Sequence, residues 1–408
     1  MNELHRPAAA TSPLSGADGD LLCLYYPQQV LPALAAVVTY RERHGIDPTR
    51  TVHAVLWSTA GPASRSAVVE TLLGAFPWVR LWAPTRSGTG RDLPPRRRVA
   101  ARARFFRERF QDVEVGTVFY PHDLTSDFLP ESMSQAFPRA HRVCFGDGLG
   151  MVCTRAYFER HLYGAATLQD LLKTPATALR HRLARLRRSW TRRDDGRAAD
   201  SYVLILPHDP TGDLLSAGNL TVVPYACACD ILTSLAATVQ SRARAAAPAL
   251  LGGCARVPIV LLGSFSESRM CSEADELALY REVLRAHVPP GRRVALKPHA
   301  ASSDGKVARL IESIGPDYEA RVFDRELAEV PIELLDAMVR ERPVLSFSHS
   351  SVALAYFDLG EARHVLTEER IERYFPPFIR AWMIESNRQY LSQQHAARQA
   401  RQPAGAGR

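Results

Sequence analysis

The chain has 408 residues, which is too long for one ordinary core and suits two domains of about 150–200 residues each. With 46% apolar and 23% charged residues it has an ordinary globular composition with material for two cores. The formal net charge of +8 favours an anionic partner without choosing among a nucleotide-sugar, an acidic glycan, a membrane leaflet and nucleic acid.

The N-terminal segment MNELHRPAAATSPLSGADGD has no apolar core of signal-peptide length, and no uncharged run of about 18 residues occurs anywhere. Seven cysteines form no CxxC pair, and Cys227 and Cys229 stand too close together for a zinc or disulfide frame, so reduced thiols in the cytoplasm are expected. Apolar, β-branched runs predict strands near Leu21–Tyr26, Val52–Trp57, Val79–Trp82, Val115–Tyr120 and His141–Phe145. A second set follows near Tyr202–Leu206, Pro258–Leu262, Arg293–Lys297, Ala320–Phe323 and Pro343–Phe347. With helical stretches between them, the two sets predict an α/β protein of two Rossmann-like domains, 1–170 and 201–370.

Between the sets, residues 171–200 form a basic helical linker. Its segment HRLARLRRSWTRRDDGR places Leu179, Leu183, Leu186 and Trp190 on one helical face with arginines around the rest. Three readings stand side by side: a solvated helix packed on its own domain, a basic amphipathic helix on an anionic membrane, and a nucleic-acid contact. The nucleic-acid reading lacks interleaved aromatics. Residues 371–408 predict a last helix and a frayed tail ending in PAGAGR.

Four places carry polar groups suited to chemistry. Lys297-Pro298-His299 closes the strand RRVALKPH, where a histidine is either a satisfied loop residue or a ligand contact. In RPVLSFSHSSVALAYFDLG a buried strand leads through hydroxyls into a helix beginning near Ser351. Ser350 and Ser351 can cap that helix or, with its free N–H groups, hold a phosphate. Glu333 opens a helix between these motifs and suits the two hydroxyls of a ribose as well as a helix dipole. In the first half, Cys144-Phe145-Gly146-Asp147-Gly148 sets a carboxylate between glycines after a strand, either a plain turn or one wall of a cleft. Tyr120-Pro121-His122-Asp123 is a second candidate wall. No GxxxxGK loop, HExxH or GxGxxG motif is present, and the acidic pair Asp18 and Asp20 lies in the tail without supporting groups, so neither a metal nor a cofactor is expected.

An acidic-Gly motif, then KPH, then a serine pair opening a helix is the motif order of the bacterial sialyltransferases. The chain resembles most the bacterial polysialyltransferase-type group, roughly from Arg139 to Leu366 and most closely from Leu261 to Leu359, including LGSFSESRMCSEADELALYREVL. It departs from that family at Gly146, where the first acid would stand, and at Ala300, where proline is usual. The resemblance implies a GT-B-like fold and an inverting transfer of sialic acid from CMP-sialic acid to a glycan acceptor in capsule or surface polysaccharide synthesis. It implies Asp147 as general base, His299 as hydrogen-bond or proton donor to the departing phosphate, Ser350 and Ser351 on the same phosphate, and Glu333 on the cytidine ribose. Transfer of Kdo or another CMP-activated ulosonic acid, and a non-catalytic glycan- or nucleotide-binding paralogue, are the alternatives. The expected partners are a CMP-sugar, a glycan acceptor and, through the basic segment, an anionic inner-leaflet surface, for a cytoplasmic protein peripheral to the inner membrane.

Overall fold

The structure, a computed structural model, describes residues 19–57, 63–83, 95–121, 129–153, 183, 199–210, 212, 214–252, 256–347 and 350–400. Seven strands form a wholly parallel first sheet: β1 (Gly19–Leu24), β2 (Val52–Leu56), β3 (Val79–Trp82), β4 (Val115–Tyr120), β5 (His141–Cys144), β6 (Ser201–Leu204) and β7 (Leu220–Val222), in the order β3-β2-β1-β4-β5-β6-β7. A parallel second sheet comprises β8 (Ile259–Leu261), β9 (Arg293–Lys297), β10 (Glu319–Val322), β11 (Pro343–Ser346) and β12 (Glu361–His364), in the order β10-β9-β8-β11-β12. Each sheet reverses its strand order once, between β1 and β4 in the first and between β8 and β11 in the second. Ligands of open α/β sheets gather beyond the carboxyl ends of strands at such reversals.

The first domain carries α1 (Val30–His44), α2 (Ala63–Leu73), α3 (Pro95–Arg109) and α4 (Leu129–Ala136). The long α5 (Tyr225–Leu251) leads into the second domain with α6 (Glu273–His287), α7 (Asp304–Ile314), α8 (Arg325–Glu329), α9 (Asp336–Val339), α10 (Ser350–Phe357), α11 (Glu368–Tyr374) and α12 (Pro377–Ala400). Side-chain alternation along the strands sorts the core into layers. Leu21 and Cys23 face a cluster with α3 and α4, whereas Leu22 and Leu24 face α1, α2 and α5. That second cluster continues to Ile259, Leu261, Ala295 and Val344 of the second sheet, while Val260, Val294, Leu296 and Leu345 face α6 and α7. One apolar layer therefore joins the two domains. α5 runs through it, burying Ala228, Ile231, Leu235, Val239 and Ala243 as a helical stripe.

The α/β, GT-B-like architecture of two facing Rossmann-like domains is thus present. The strand expected to open the second domain near Tyr202–Leu206 is instead β6 of the first sheet, pairing Ser201 with Val143 and Tyr202 with Cys144. Tyr202 and Leu204 complete the layer under α3 and α4, and Val203 turns to the opposite face. Asp20 is likewise not a tail residue. It lies in β1, 1% exposed, and pairs with Arg41 at 2.7 Å and Arg50 at 3.7 Å. The basic segment Arg180–Arg193 lies outside the described residues except for Leu183, which is exposed. α12 begins at Pro377 and returns toward the first domain, where Gln389 hydrogen-bonds His208. Among the described residues no helix is long and apolar enough to cross a membrane.

Candidate active site at the domain interface

A cleft with a cavity volume of about 110 Å³ opens where the carboxyl ends of the two sheets face each other. Gln28, between β1 and α1, and Gly148 and Leu149, beyond β5, come from the first domain. From the second come the β9 end Lys297-Pro298-His299-Ala300, the segment Pro331-Ile332-Glu333, and Ser350.

Lys297 shares the parity of Ala295 along β9 and so enters the layer between the sheets, where only 8% of it is exposed. Its Nζ donates to the Ala328 carbonyl at 2.6 Å. Burial pulls the ammonium down to about 8, opposed by the charges of Glu333 and Glu329. Glu333 is itself buried, which raises its pKa against a backbone hydrogen bond and the attraction of Lys297. The short helix whose first turn it occupies is 3-10 rather than α. Glu333 sits in the 3-10 turn Ile332–Leu334 behind Pro331, which supplies no side-chain cap. Helices of this domain that do start with a side-chain cap do so at Ser272, Ser303, Asp324 and Thr367, which accept from the N–H groups of Asp275, Lys306, Leu327 and Arg370.

His299 is exposed on the cleft wall. Its Nδ1 accepts from the Ala301 N–H at 3.1 Å, which assigns the hydrogen of the neutral ring to Nε2 and makes that nitrogen a donor. Ser350 begins α10 and also lines the cleft, beside N–H groups that the helix cannot satisfy internally. Ser351 does not share the wall. It is 1% exposed, and its carbonyl accepts from Gln394 of α12 at 3.5 Å. Ser348 and His349 lie outside the described residues.

Across the cleft, Asp147 stands in a tight loop with Gly146, Gly148 and Gly150 at φ values of +75°, +56° and +137°. The loop folds back so that Asp147 and Met151 exchange backbone hydrogen bonds at 2.9 Å, and Met151 bridges to His208. A Cβ on Gly146 would stand 2.9 Å from the Gly150 Cα, so this position admits no side chain without movement. Asp147 is half-buried one residue behind the wall formed by Gly148 and Leu149. Burial and the Asp147 charge together push the Tyr390 hydroxyl of α12 up to about 12. His122 and Asp123 lie outside the described residues.

His299, Glu333 and Ser350 therefore meet in one cleft, Ser351 is buried, and Asp147 directly precedes the wall residues Gly148 and Leu149 without lining the cleft itself. Lys297 and Glu329 stand within or beside the quoted motifs but carry no role there, and Gln28 and Leu149 belong to no motif, although Gln28, Leu149 and Lys297 line the cleft and Glu329 bears on Lys297. The signal for Lys297 was a charge on the core-facing parity of an apolar strand. For Gln28 it was position, directly after the first strand of a parallel sheet.

The sequence matches no known protein family, and no curated protein is significantly similar to it. Among solved structures, a UDP-GlcNAc 2-epimerase from Neisseria meningitidis bound to UDP-GlcNAc shares 11% identity, covering 93% of this chain and 94% of that one, with a TM-score of 0.48. The Methanocaldococcus jannaschii UDP-GlcNAc 2-epimerase in complex with UDP-GlcNAc and UDP shares 10%, over 89% and 97%, at 0.49. A glycosyltransferase from Rickettsia africae shares 11%, over 94% and 93%, at 0.41. Likenesses this distant assign no substrate to this chain.

Proposed function

We propose that the chain is an inverting glycosyltransferase that moves sialic acid from CMP-sialic acid to a glycan acceptor. The observation that carries this reading is the convergence of His299, Glu333 and Ser350, from three separate stretches of the second domain, on one cleft whose far wall includes Gly148 and Leu149, directly after Asp147 in the chain. Departure of CMP builds negative charge on its phosphate. The Nε2–H of His299, the Ser350 hydroxyl and the start of α10 supply donors for it, and preorganised donors of this kind lower the barrier. Glu333 accepts from the ribose hydroxyls. Asp147 takes the proton of the acceptor hydroxyl that attacks the anomeric carbon, so nucleophile and leaving group occupy opposite sides of the sugar. Ser351 contributes packing and its backbone N–H rather than its hydroxyl. Gly146, where the resembled sialyltransferases carry a first acid, leaves Asp147 to act alone.

Measuring nucleotide release from a panel of CMP- and UDP-sugars, with and without sialoside and lactoside acceptors, tests the proposal. Acceptor-stimulated release from CMP-sialic acid is expected, together with a loss on the order of a hundredfold in kcat for His299→Ala in a folded protein. Turnover of CMP-Kdo alone would keep the nucleotide assignment and change the sugar. Turnover of UDP-sugars alone, or full activity of His299→Ala, would overturn the reading.

A further inference from the structure

The reversal in the first sheet, between β1 and β4, also faces the cleft, and Gln28, beyond the end of β1, reaches it from the first domain, whereas His299, Glu333 and Ser350 come from the second. β1 delivers Tyr25, Tyr26 and Gln28 to this edge. Pro27 begins a 3-10 turn over Pro27–Gln29, the Tyr25 N–H donates to Gln29 Oε1 at 2.7 Å, and the Gln29 N–H donates to the Tyr26 carbonyl at 3.1 Å. Gln29 is 6% exposed, so this clamp is built into the core rather than laid on the surface. Tyr25 packs against the layer under α3, while Tyr26 leaves 47% of its surface open. The two ring centroids are 6.2 Å apart with planes inclined at 34°. Two residues further on, Gln28 reaches the wall shared with His299 and Glu333.

An exposed aromatic ring forgoes the gain of burial, and a loop held by a proline and a buried side-chain clamp has already lost its freedom. Together they make a surface that binds without a further ordering cost. The ligand that fits is a sugar. A pyranose presents a face of C–H groups that lies on an aromatic ring and a rim of hydroxyls that an amide can hydrogen-bond, and tyrosine and glutamine supply that combination. We propose that Tyr26 and Gln28 form an acceptor subsite, in which a pyranose ring of the acceptor glycan stacks on Tyr26 and is steered by Gln28 toward the cleft between His299 and Asp147. This inference rests on the glycosyltransferase reading, and it concerns the acceptor side alone.

The test compares full-length Tyr26→Ala and Tyr26→Phe with the wild type. Acceptor kinetics at saturating CMP-sialic acid are combined with calorimetric affinity for CMP and saturation-transfer NMR of a free sialoside or lactoside. Tyr26→Ala is expected to raise the acceptor KM about tenfold and to weaken the NMR transfer, with the CMP affinity of the wild type, while Tyr26→Phe keeps the KM within about twofold. An acceptor KM unchanged in Tyr26→Ala, or equal loss in Tyr26→Phe and Tyr26→Ala, would overturn the stacking role while leaving the donor reading intact. Failure of the wild type to turn over any nucleotide-sugar would instead overturn both, and that result needs no variant.

Discussion

Lys306, in the first turn of α7, and Lys297, at the end of β9, are both buried lysines of the second domain, 1% and 8% exposed. Around Lys306 the polar groups close on themselves. Its Nζ reaches Glu267 at 2.7 Å, Glu276 at 2.9 Å and the Gly263 carbonyl at 3.4 Å, one acceptor for each ammonium hydrogen. Glu276 in turn accepts from the Ser266 N–H at 2.8 Å, the Phe265 N–H at 3.3 Å and the Tyr280 hydroxyl. Lys297 has its contact with the Ala328 carbonyl, and Glu333 and Glu329 bear on it through the field, so its proton is held loosely and its charge faces an open cleft. Taking an ion out of water costs several kcal/mol, and only a complete set of partners offsets it. A buried charge with every partner in place fixes two loops to each other. One left short of partners among the described residues, at a cleft, has something to give to a ligand.

The largest expected effect separates the two sites by stability. Lys306→Met leaves Glu276 buried without its cation and is expected to cost about 3–5 kcal/mol in urea denaturation. Lys306→Met combined with Glu276→Gln, which keeps an acceptor but removes the stranded charge, is expected to recover much of that loss. A single variant as stable as the wild type would mean that the cluster is no structural clamp.

The next effect, about 2 kcal/mol or more, comes from the far side of the cleft. Gly146→Asp would restore the acid that the resembled family carries, yet it forces a side chain onto a backbone at φ +75° and to within 2.9 Å of the Gly150 Cα. A lowered melting temperature with no gain in turnover is expected. Higher activity at unchanged stability would show that the loop yields and that Asp147 wants a companion.

The motifs KPH, Glu333 and Ser350 were legible because polar residues directly behind apolar runs stand out against a regular pattern, and the strand Arg293–Lys297 was bounded correctly for the same reason. β12 escaped because EARH, at the sheet edge with Glu361 and Arg363 exposed, has no apolar run at all. β7 is three residues long, too short to show a period. The sheet to which β6 belongs, and the partners of the two lysines, depend on residues distant in sequence. Ala328 is 31 positions from Lys297, and Glu276 is 30 from Lys306. Burial of Ser351 beside an accessible Ser350 follows from α12 covering α10, which no local signal announces.

Lys297→Met is expected to weaken CMP affinity about tenfold at pH 7, because Glu333 loses the cation that favours its ionised form and the Ala328 turn loses its donor. The wild type should itself lose CMP affinity as pH rises through about 8, the value to which burial depresses this lysine, while the variant shows no such step. Stability moves the other way. Below that value both folded and unfolded chains are protonated there and the burial penalty is fully present. From about 8 toward the ordinary 10.5 the unfolded chain binds more protons, so the wild type gains stability relative to the variant. Calorimetry and thermal unfolding at pH 7 and pH 9.5, both on the scale of that window, check the two signs. A pH-independent CMP affinity in the wild type would place Lys297 with Lys306 as a structural charge.

The smallest effect lies on the link between the two regions. The Ser302 hydroxyl donates to the Gly263 carbonyl at 3.2 Å, the same oxygen that Lys306 approaches, and the Ser302 N–H donates to the His299 carbonyl at 2.8 Å. Ser302→Ala removes the first of these bonds and keeps the second. Since the Gly263 carbonyl retains Lys306 as a donor, the cost should stay near 1 kcal/mol, and the His299 backbone should hold its place. Stability by urea denaturation should fall by about that amount, and kcat should remain within about threefold of the wild type. A loss of turnover approaching the hundredfold expected for His299→Ala, at nearly unchanged stability, would show that the Lys306 cluster sets the aim of the imidazole and belongs to the site after all.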